Sequence, residues 1–343
     1  MKNIQKKQDN ITVSVDYRTE LLGIIQIISS YQQQFPHLLE KQSNRQYIES
    51  IEKHFQKFKK HETIKLFDYL TTNHNFCYDA PVALFLQLNK NFANSKLPSY
   101  PFKERLNSDP KTYEFIETLP DFIKKSQFAS FYQKNTSLYQ KFIDDIHNII
   151  AENNLIEYMK KYYDMPLEKR FVINLIPFQT HGNYGYHNQR TIFANICCQP
   201  GNQKLEHMYQ VDEFELLHLL FHEFSHSIIN PLTTKYLKNN DPNLFAKIDK
   251  KMDEMAYGSN NTIINEHFIR ALTIRYHWHR NKNKRECNQL IKQEKNQGFI
   301  YIEKVLEQLE NYEKNRHIYP NIEDFYPILI ANIIDTYNTE NKK

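Results

Sequence analysis

The chain has 343 residues, enough to bury a sizeable core as two lobes or as one large domain. Its 44 basic and 40 acidic side chains leave a net charge of +4, so no strong field indicates a nucleic acid or an anionic membrane as partner. Only six glycines occur, which argues against the glycine-rich phosphate loops of common nucleotide-dependent enzymes. The four cysteines show neither metal-ligand spacing nor a disulfide framework.

The first half of the chain is predicted to be mainly helical. Residues Ile11 to Val15, ITVSV, alternate apolar and polar side chains as a half-buried strand does, and Asp16 can cap a following helix from Tyr17 to Tyr31. The segments 47–70 and 113–161 have the apolar spacing of amphipathic helices. Prolines mark the expected breaks between helices, at Pro98, Pro101, Pro110 and Pro120.

The pattern changes after Met165. Two strand-like segments, 171–178 and 191–198, flank a polar stretch and predict a two-stranded β element with a long connection. Residues 211–229 are apolar enough for a largely buried helix, and we expect it to end before Pro231. Further helical segments are predicted over 260–280, 298–312 and 322–337.

This order of elements predicts an α+β fold that is predominantly helical, with a small β-sheet. Residues 1–165 are expected to form a mainly helical N-terminal lobe, whose first strand can join the sheet of the second lobe. Residues 166–343 are expected to form this second lobe.

The sequence indicates neither a membrane nor a nucleic acid as partner. The longest apolar runs are shorter than the ~18 residues of a membrane-spanning helix. The start, MKNIQKKQDN, has charge but no apolar segment behind it, so we expect a cytoplasmic protein, or a secreted one if a signal peptide was removed before numbering. Lysines and aromatic residues mix in 53–65, where a solvated helix face is a better explanation than nucleic-acid contact, as it also is for the basic residues of 280–285.

A His-Glu-x-x-His sequence lies inside the apolar segment 211–229. Residues four apart share one face of a helix, so His222 and His226 can direct both imidazoles at one metal ion. Glu223 lies about 100° round the helix from His222, where it can polarise a metal-bound water without being a ligand. The alternative, two core histidines satisfied by hydrogen bonds, is less favoured because an apolar helix would bury Glu223 at a cost in free energy.

A catalytic zinc ion takes a third protein ligand and keeps one position open for water. Glu266 is the best candidate because it stands among apolar residues, where an unpaired carboxylate is disfavoured. A salt bridge to Arg270, four residues later, is the alternative explanation. His218 and Asn230 extend the stripe of the two motif histidines and can hold the ligating rings, although Asn230 is explained nearly as well as a helix-end residue.

The motif HEFSH, followed on a later helix by Asn265 and Glu266, resembles the gluzincin metallopeptidases, whose third zinc ligand is a glutamate. Three stretches, VDYRTELLGII, HEFSHSIINP and NEHFIRALTIRY, also resemble a poorly characterised bacterial family catalogued as a domain of unknown function with a gluzincin-like site. The resemblance implies a zincin-like catalytic core and a bound zinc ion, with the ligands His222, His226 and Glu266 and with Glu223 as general base. Arg270 stands where thermolysin-like members have an aspartate, so the residues around the ligands must differ.

The resemblance implies two further roles. In such folds a strand upstream of the motif helix pairs with the substrate backbone, and residues 191–198 or 183–186 could supply it, with an ordinary hairpin as an equal alternative. The oxyanion of the tetrahedral intermediate needs a donor, for which the candidates in falling order are Arg270, Tyr257 and His181. We therefore expect a zinc-dependent peptidase acting on peptides or proteins. The alternative is a mostly helical binding protein with a structural or vestigial metal site.

Overall fold

The structure is a computed structural model, and the residues it describes are 2–8, 10–36, 45–92, 102–164, 169–177, 182–188, 190–197, 212–237, 249–255 and 257–340. It confirms the expected class, a predominantly helical α+β fold with a small sheet. Two compact units can be distinguished. Unit 1 comprises residues 1–152, 170–184 and 193–212, and unit 2 comprises residues 153–169, 185–192 and 213–343. The predicted lobes with a single boundary at residue 165 stay a prediction.

The small sheet has five strands and is mixed. Its strands are β1 (Ile4–Gln8), β2 (Ile11–Val15), β3 (Arg170–Ile176), β4 (Tyr184–His187) and β5 (Thr191–Cys197), in the order β1-β2-β3-β5-β4. Strands β1 and β2 are antiparallel with Ile4 opposite Val15, whereas β2 and β3 are parallel with Ile11 opposite Phe171. The apolar pattern predicted β2, β3 and β5 but missed β1 and β4, although the family resemblance had named residues 183–186 as a candidate substrate strand. Both missed strands are short and rich in polar or small residues, so they lack the apolar alternation of a half-buried strand.

Helix α1 shows how a local sequence signal starts an element of unit 1. The Asp16 carboxylate accepts a hydrogen bond from the backbone N–H of Arg18, which satisfies one of the unpaired donors at the helix start. Nearly the whole helix is buried, so it packs as a central element of this unit. The unit 1 helices are α1 (Tyr17–Ile28), α2 (Tyr31–Gln34), α3 (Arg45–Phe55), α4 (Glu62–His74), α5 (Asp79–Gln87), α6 (Phe102–Arg105), α7 (Pro110–Ser126), α8 (Phe128–Lys134) and α9 (Thr136–Glu152).

The expected break at Pro120 is wrong, because this proline lies inside α7. The apolar face of α7 is buried on both sides of it, at Leu119 and Phe122, so packing holds the helix through the lost backbone hydrogen bond. Pro110 does lie at a helix boundary, in the first turn of α7. Pro98 and Pro101 lie outside the described residues.

Unit 2 contains the helices that carry the candidate site. They are α10 (Leu155–Tyr163), α11 (Glu213–Tyr236), α12 (Asp249–Glu254), α13 (Asn260–Asn281), α14 (Lys284–Gln297), α15 (Ile302–Lys314) and α16 (Ile322–Glu340). Helix α13 packs against both α11 and α15. Aromatic side chains fill the seam between α11 and α13, where the rings of Phe221 and Tyr276 stack with centroids 4.9 Å apart. This packing fixes the two helices that present the predicted metal ligands.

The predicted end of the motif helix at Pro231 is wrong, because α11 continues to Tyr236. Pro231 cannot donate a backbone hydrogen bond, but the turn after it is held by burial of Leu232 and Thr233. The Thr233 hydroxyl also forms a hydrogen bond with the Tyr326 hydroxyl of α16. Tertiary contacts therefore override the local stop signal.

Within the part of the chain that the structure describes, no helix combines the length and the apolar character needed to cross a lipid bilayer.

Candidate metal centre

Helix α11 presents the two motif histidines on one face. His222 and His226 are one turn apart, and their Nε2 atoms lie 3.2 Å from each other. Neighbouring positions on the helix are anchored, because the Ser225 hydroxyl bonds to the Tyr163 hydroxyl at 2.6 Å and Phe221 stacks on Tyr276. Each of the two imidazoles keeps some exposed surface.

Helix α13 brings Glu266 to the same point. Its Oε2 lies 3.6 Å from Nε2 of His222, and its Oε1 lies 3.5 Å from Nε2 of His226. Among the described residues, these three form the one group of three or more potential metal ligands, with ligand atoms all within 4.8 Å of one another. The structure thus brings together the three residues that the sequence singled out as ligands.

The size of this triangle suits a tetrahedral zinc ion. With bonds of ~2.0–2.1 Å to imidazole nitrogen and ~2.0–2.2 Å to carboxylate oxygen, two ligand atoms of a tetrahedral site lie about 3.3–3.5 Å apart. Here the two Nε2 atoms are 3.2 Å apart, and each lies 3.5 or 3.6 Å from its own oxygen of the Glu266 carboxylate. Three donors occupy three corners of a tetrahedron, which leaves the fourth corner for water or substrate. The donor set fits zinc in number, chemistry and spacing.

The hydrogen bond at Nδ1 of His226 favours metal binding through Nε2, the other nitrogen of the ring. Nδ1 of His226 lies 3.3 Å from Oδ1 of Asn230, and because an amide oxygen only accepts, Nδ1 carries the proton. Nε2 of a neutral His226 then directs a lone pair toward the Glu266 carboxylate. Burial lowers the pKa of His222 well below its ordinary value, so this ring is neutral. A cation between these groups would remove their mutual repulsion.

Glu223 is buried beside the ligands but is not one of them. Only 5% of its surface is exposed, and burial raises the pKa of its carboxyl to about 7, while nearby His226 lowers it and Glu266 raises it. The backbone N–H of Gly185, in β4, donates a hydrogen bond to this carboxylate. A general base works best with a pKa near the working pH, so Glu223 has the position and the chemistry for that role.

Gly185 allows β4 to lie directly against the motif helix. A Cβ atom at this position would be 2.3 Å from the carbonyl oxygen of Glu223 and 3.0 Å from Cβ of His226. Only glycine fits such a close approach without displacement of the backbone. The residues 183–186 were considered as a substrate strand, but the need for glycine at 185 was not recognised from the sequence.

The sequence profile of DUF4932, a domain of unknown function, matches residues 11–332. The chain belongs to this family. The match includes all three stretches on which the resemblance to a family of unknown function rested. The searches of curated proteins and of solved structures gave no match. Because the family has no assigned function, the gluzincin resemblance and the peptidase activity remain proposals.

In this DUF4932 member, Arg270 has protein partners on all three guanidinium nitrogens. Its Nε donates to Oε2 of Glu266 at 3.1 Å, one Nη donates to Glu294 at 2.8 Å, and the other donates to the Tyr257 hydroxyl at 3.3 Å. The salt bridge between Glu266 and Arg270, which the sequence offered as an alternative to metal binding by Glu266, is therefore present. The cluster of His222, His226 and Glu266 is present as well. Although burial lowers the pKa of Arg270, the carboxylates of Glu266 and Glu294 outweigh it and raise that pKa.

Tyr257 lies next to this group and has a proton to donate. Among the described residues, Arg270 is the hydrogen-bond partner of its hydroxyl, which accepts from the guanidinium. Burial, together with the nearby Glu266 carboxylate, raises the pKa of Tyr257 to about 12, so the phenol stays protonated at neutral pH. The third candidate donor, His181, lies outside the described residues.

His218 pairs with another histidine. Its Nδ1 lies 3.2 Å from Nε2 of His277, which in turn stacks on Phe214 at a centroid distance of 3.9 Å. Burial lowers the pKa of His218 to about 4 and that of His277 to about 3, so both rings are neutral near pH 7. His277 of α13 therefore has His218 as a partner that is separate from the ligand cluster.

Proposed function

We propose that this DUF4932 domain is a zinc-dependent peptidase. The observation that carries the proposal is the cluster of His222, His226 and Glu266, whose imidazole nitrogens and carboxylate approach one another at spacings that suit three ligands of a tetrahedral site. A bound zinc ion would lower the pKa of a water molecule to ~7 and polarise the scissile carbonyl. The chain supplies the ligands, the base, the oxyanion donor and the surface that holds the peptide.

The buried carboxylate of Glu223 takes a proton from the attacking water and delivers it to the leaving amine. Its hydrogen bond from the Gly185 N–H helps to hold the carboxylate in one orientation. Burial excludes bulk water from the carboxylate, which strengthens its interaction with the transferred proton. Removal of a general base of this kind costs ~100- to 10,000-fold in rate.

The hydroxyl of Tyr257 is the best-placed oxyanion donor of this site. It is neutral, it has its own proton available, and the Arg270 guanidinium that bonds to its oxygen makes that proton a stronger donor. Each of the three guanidinium nitrogens of Arg270 already donates a hydrogen bond, to Glu266, Glu294 or Tyr257. We therefore assign Arg270 to positioning rather than to direct contact with the intermediate.

The peptide substrate would lie along β4. Strand β5 is flanked by β3 and β4 in the described sheet, so both of its edges are occupied, whereas β4 is the last strand on its side. An extended peptide can add to such an edge through main-chain hydrogen bonds. Gly185 in β4 lies against Glu223, so a peptide on this edge would pass beside the general base.

The test combines metal content with peptide hydrolysis. Purified chain is expected to hold about one zinc per molecule, with much less in His222→Ala and Glu266→Ala and no change in a matched His317→Ala variant, whose side chain is exposed. Glu223→Gln is expected to keep the zinc and to lose hydrolysis of a peptide library by ~100-fold or more. Zinc bound without any hydrolysis by the parent chain would support a helical binding protein with a structural metal. A parent chain that binds no added zinc would overturn the metal site.

A further inference from the structure

Arg270 lies between two buried carboxylates, one of which belongs to the proposed metal ligand. Glu266 receives its Nε, and Glu294 of α14 receives one Nη at 2.8 Å. Glu294 is 5% exposed, so its charge is not dispersed by water. This role has no signal in the sequence, because Glu294 stands in a helix of mostly polar residues, KRECNQLIKQEKNQ.

We infer that Glu294 is a positioning residue for the metal centre, acting through Arg270 on the ligand Glu266. This inference rests on the proposed function, since it requires a cation on the ligand triangle. Without a second carboxylate, the guanidinium beside Glu266 would compete with the metal cation for the Glu266 carboxylate. It would also repel the cation. Glu294 balances the guanidinium charge, so Glu266 keeps its negative charge available for the metal.

The end of α14 is built to hold the guanidinium from several sides. Gly298 adopts a left-handed backbone with φ of 109° and caps α14, and the Phe299 N–H bonds back to the Glu294 carbonyl at 3.0 Å. This turn places the ring of Phe299 under Arg270, with 4.2 Å between the guanidinium carbon and the ring centroid. Gln297 in the same turn accepts a further bond from Arg270 at 3.3 Å. One helix end therefore supplies a carboxylate, an amide oxygen and a ring face.

The charges of the buried groups indicate how loss of the Glu294 carboxylate would change the metal affinity. The Arg270 guanidinium is shared between two carboxylates, so Glu266 does not balance its charge alone. Without the carboxylate of Glu294, Glu266 would have to balance both the guanidinium and the cation. Loss of this partner should weaken metal binding by ~10- to 100-fold, the usual range for residues that orient a ligand.

The test is a double-mutant cycle on zinc affinity in the full chain, measured by competition with a chromophoric chelator. Glu294→Gln is expected to weaken zinc binding by ~10-fold or more. In an Arg270→Met background, the same substitution should change affinity by less than ~2-fold, because Glu294 then has no charged partner to act through. Glu307→Gln, which removes an exposed carboxylate of α15, should leave the affinity unchanged.

Equal losses with and without Arg270, or no loss in Glu294→Gln, would overturn the inference while leaving the metal site intact. A parent chain without zinc affinity would instead overturn the proposed function. Thermal unfolding of the metal-free variants shows whether each one folds. Should Glu294→Gln not fold, Glu294→Met tests the same point, because it also removes the charge while keeping a side chain of similar length, and an unchanged zinc affinity with lowered stability would assign Glu294 a purely structural role.

Discussion

Oδ1 of Asn230 lies 3.3 Å from Nδ1 of His226 and fixes the tautomer in which Nε2 faces the other two ligands. Asn230→Ala removes this acceptor and is expected to weaken zinc binding by about 10-fold, since the ring loses both its orientation and its preferred tautomer. Chelator competition measures the change. Asn311→Ala, an exposed asparagine of α15, is the matched control, and equal affinities in the two variants would contradict the role of Asn230.

Tyr257 provides a separate test of how the intermediate is stabilised. Tyr257→Phe keeps the ring packed near Phe299 but removes the proton donor, so kcat should fall by ~100-fold while zinc content stays at the parent level. Tyr319→Phe, whose ring packs on Phe325, should retain full activity. A Tyr257→Phe chain with unchanged kcat would exclude this hydroxyl as the oxyanion donor and would return Arg270 to consideration.

Because β4 lies close to α11, we expect Gly185 and Gly258 to differ in how well they tolerate substitution by alanine. Gly185→Ala would place a methyl group 2.3 Å from the Glu223 carbonyl oxygen, so we expect a loss of about 1–3 kcal/mol in the free energy of unfolding. Hydrolysis should fall with it, because the strand that orients the general base must move. At Gly258 the nearest atom to an added Cβ is Oδ1 of Asp253 at 3.5 Å, an ordinary contact.

Gly258→Ala is therefore the matched control, and it should be neutral in urea-induced unfolding. A Gly185→Ala variant as stable and as active as the Gly258→Ala variant would show that β4 does not need this contact with α11.

The parts of the site that follow from local spacing could be predicted from the sequence. Four-residue spacing puts His222 and His226 on one helix face whatever the tertiary fold, and an apolar surrounding marked Glu266 as a carboxylate in need of a partner. Asp16 was recognised in the same way, because capping depends on neighbouring residues alone.

The parts that depend on contacts between distant segments could not be predicted. Glu294 matters because the end of α14 meets α13, and Gly185 matters because β4 meets α11. Neither contact leaves a periodic pattern in its own segment. Pro231 shows the opposite error, since a strong local stop signal was overridden by the buried residues that follow it.

A buried carboxylate in unit 1 should make stability depend on pH. Oε1 of Glu20 accepts hydrogen bonds from the hydroxyls of Tyr47 and Tyr139, and Glu20 is 1% exposed. Burial raises the pKa of Glu20 from 4.5 to about 8, although the hydrogen bond from Tyr139 lowers it. Between these two values the folded chain keeps a proton that the unfolded chain has lost.

Because the folded-state pKa is the higher one, the stabilisation from Glu20 is complete below pH 4.5, is lost as the pH rises toward about 8, and changes little above that. The total loss should be on the order of a few kcal/mol. Glu20→Gln mimics the protonated side chain and should flatten this part of the profile. Denaturant unfolding of metal-free chain between about pH 5 and pH 9 measures both forms. Parallel profiles for the parent and Glu20→Gln would mean that Glu20 titrates alike in the folded and unfolded chain.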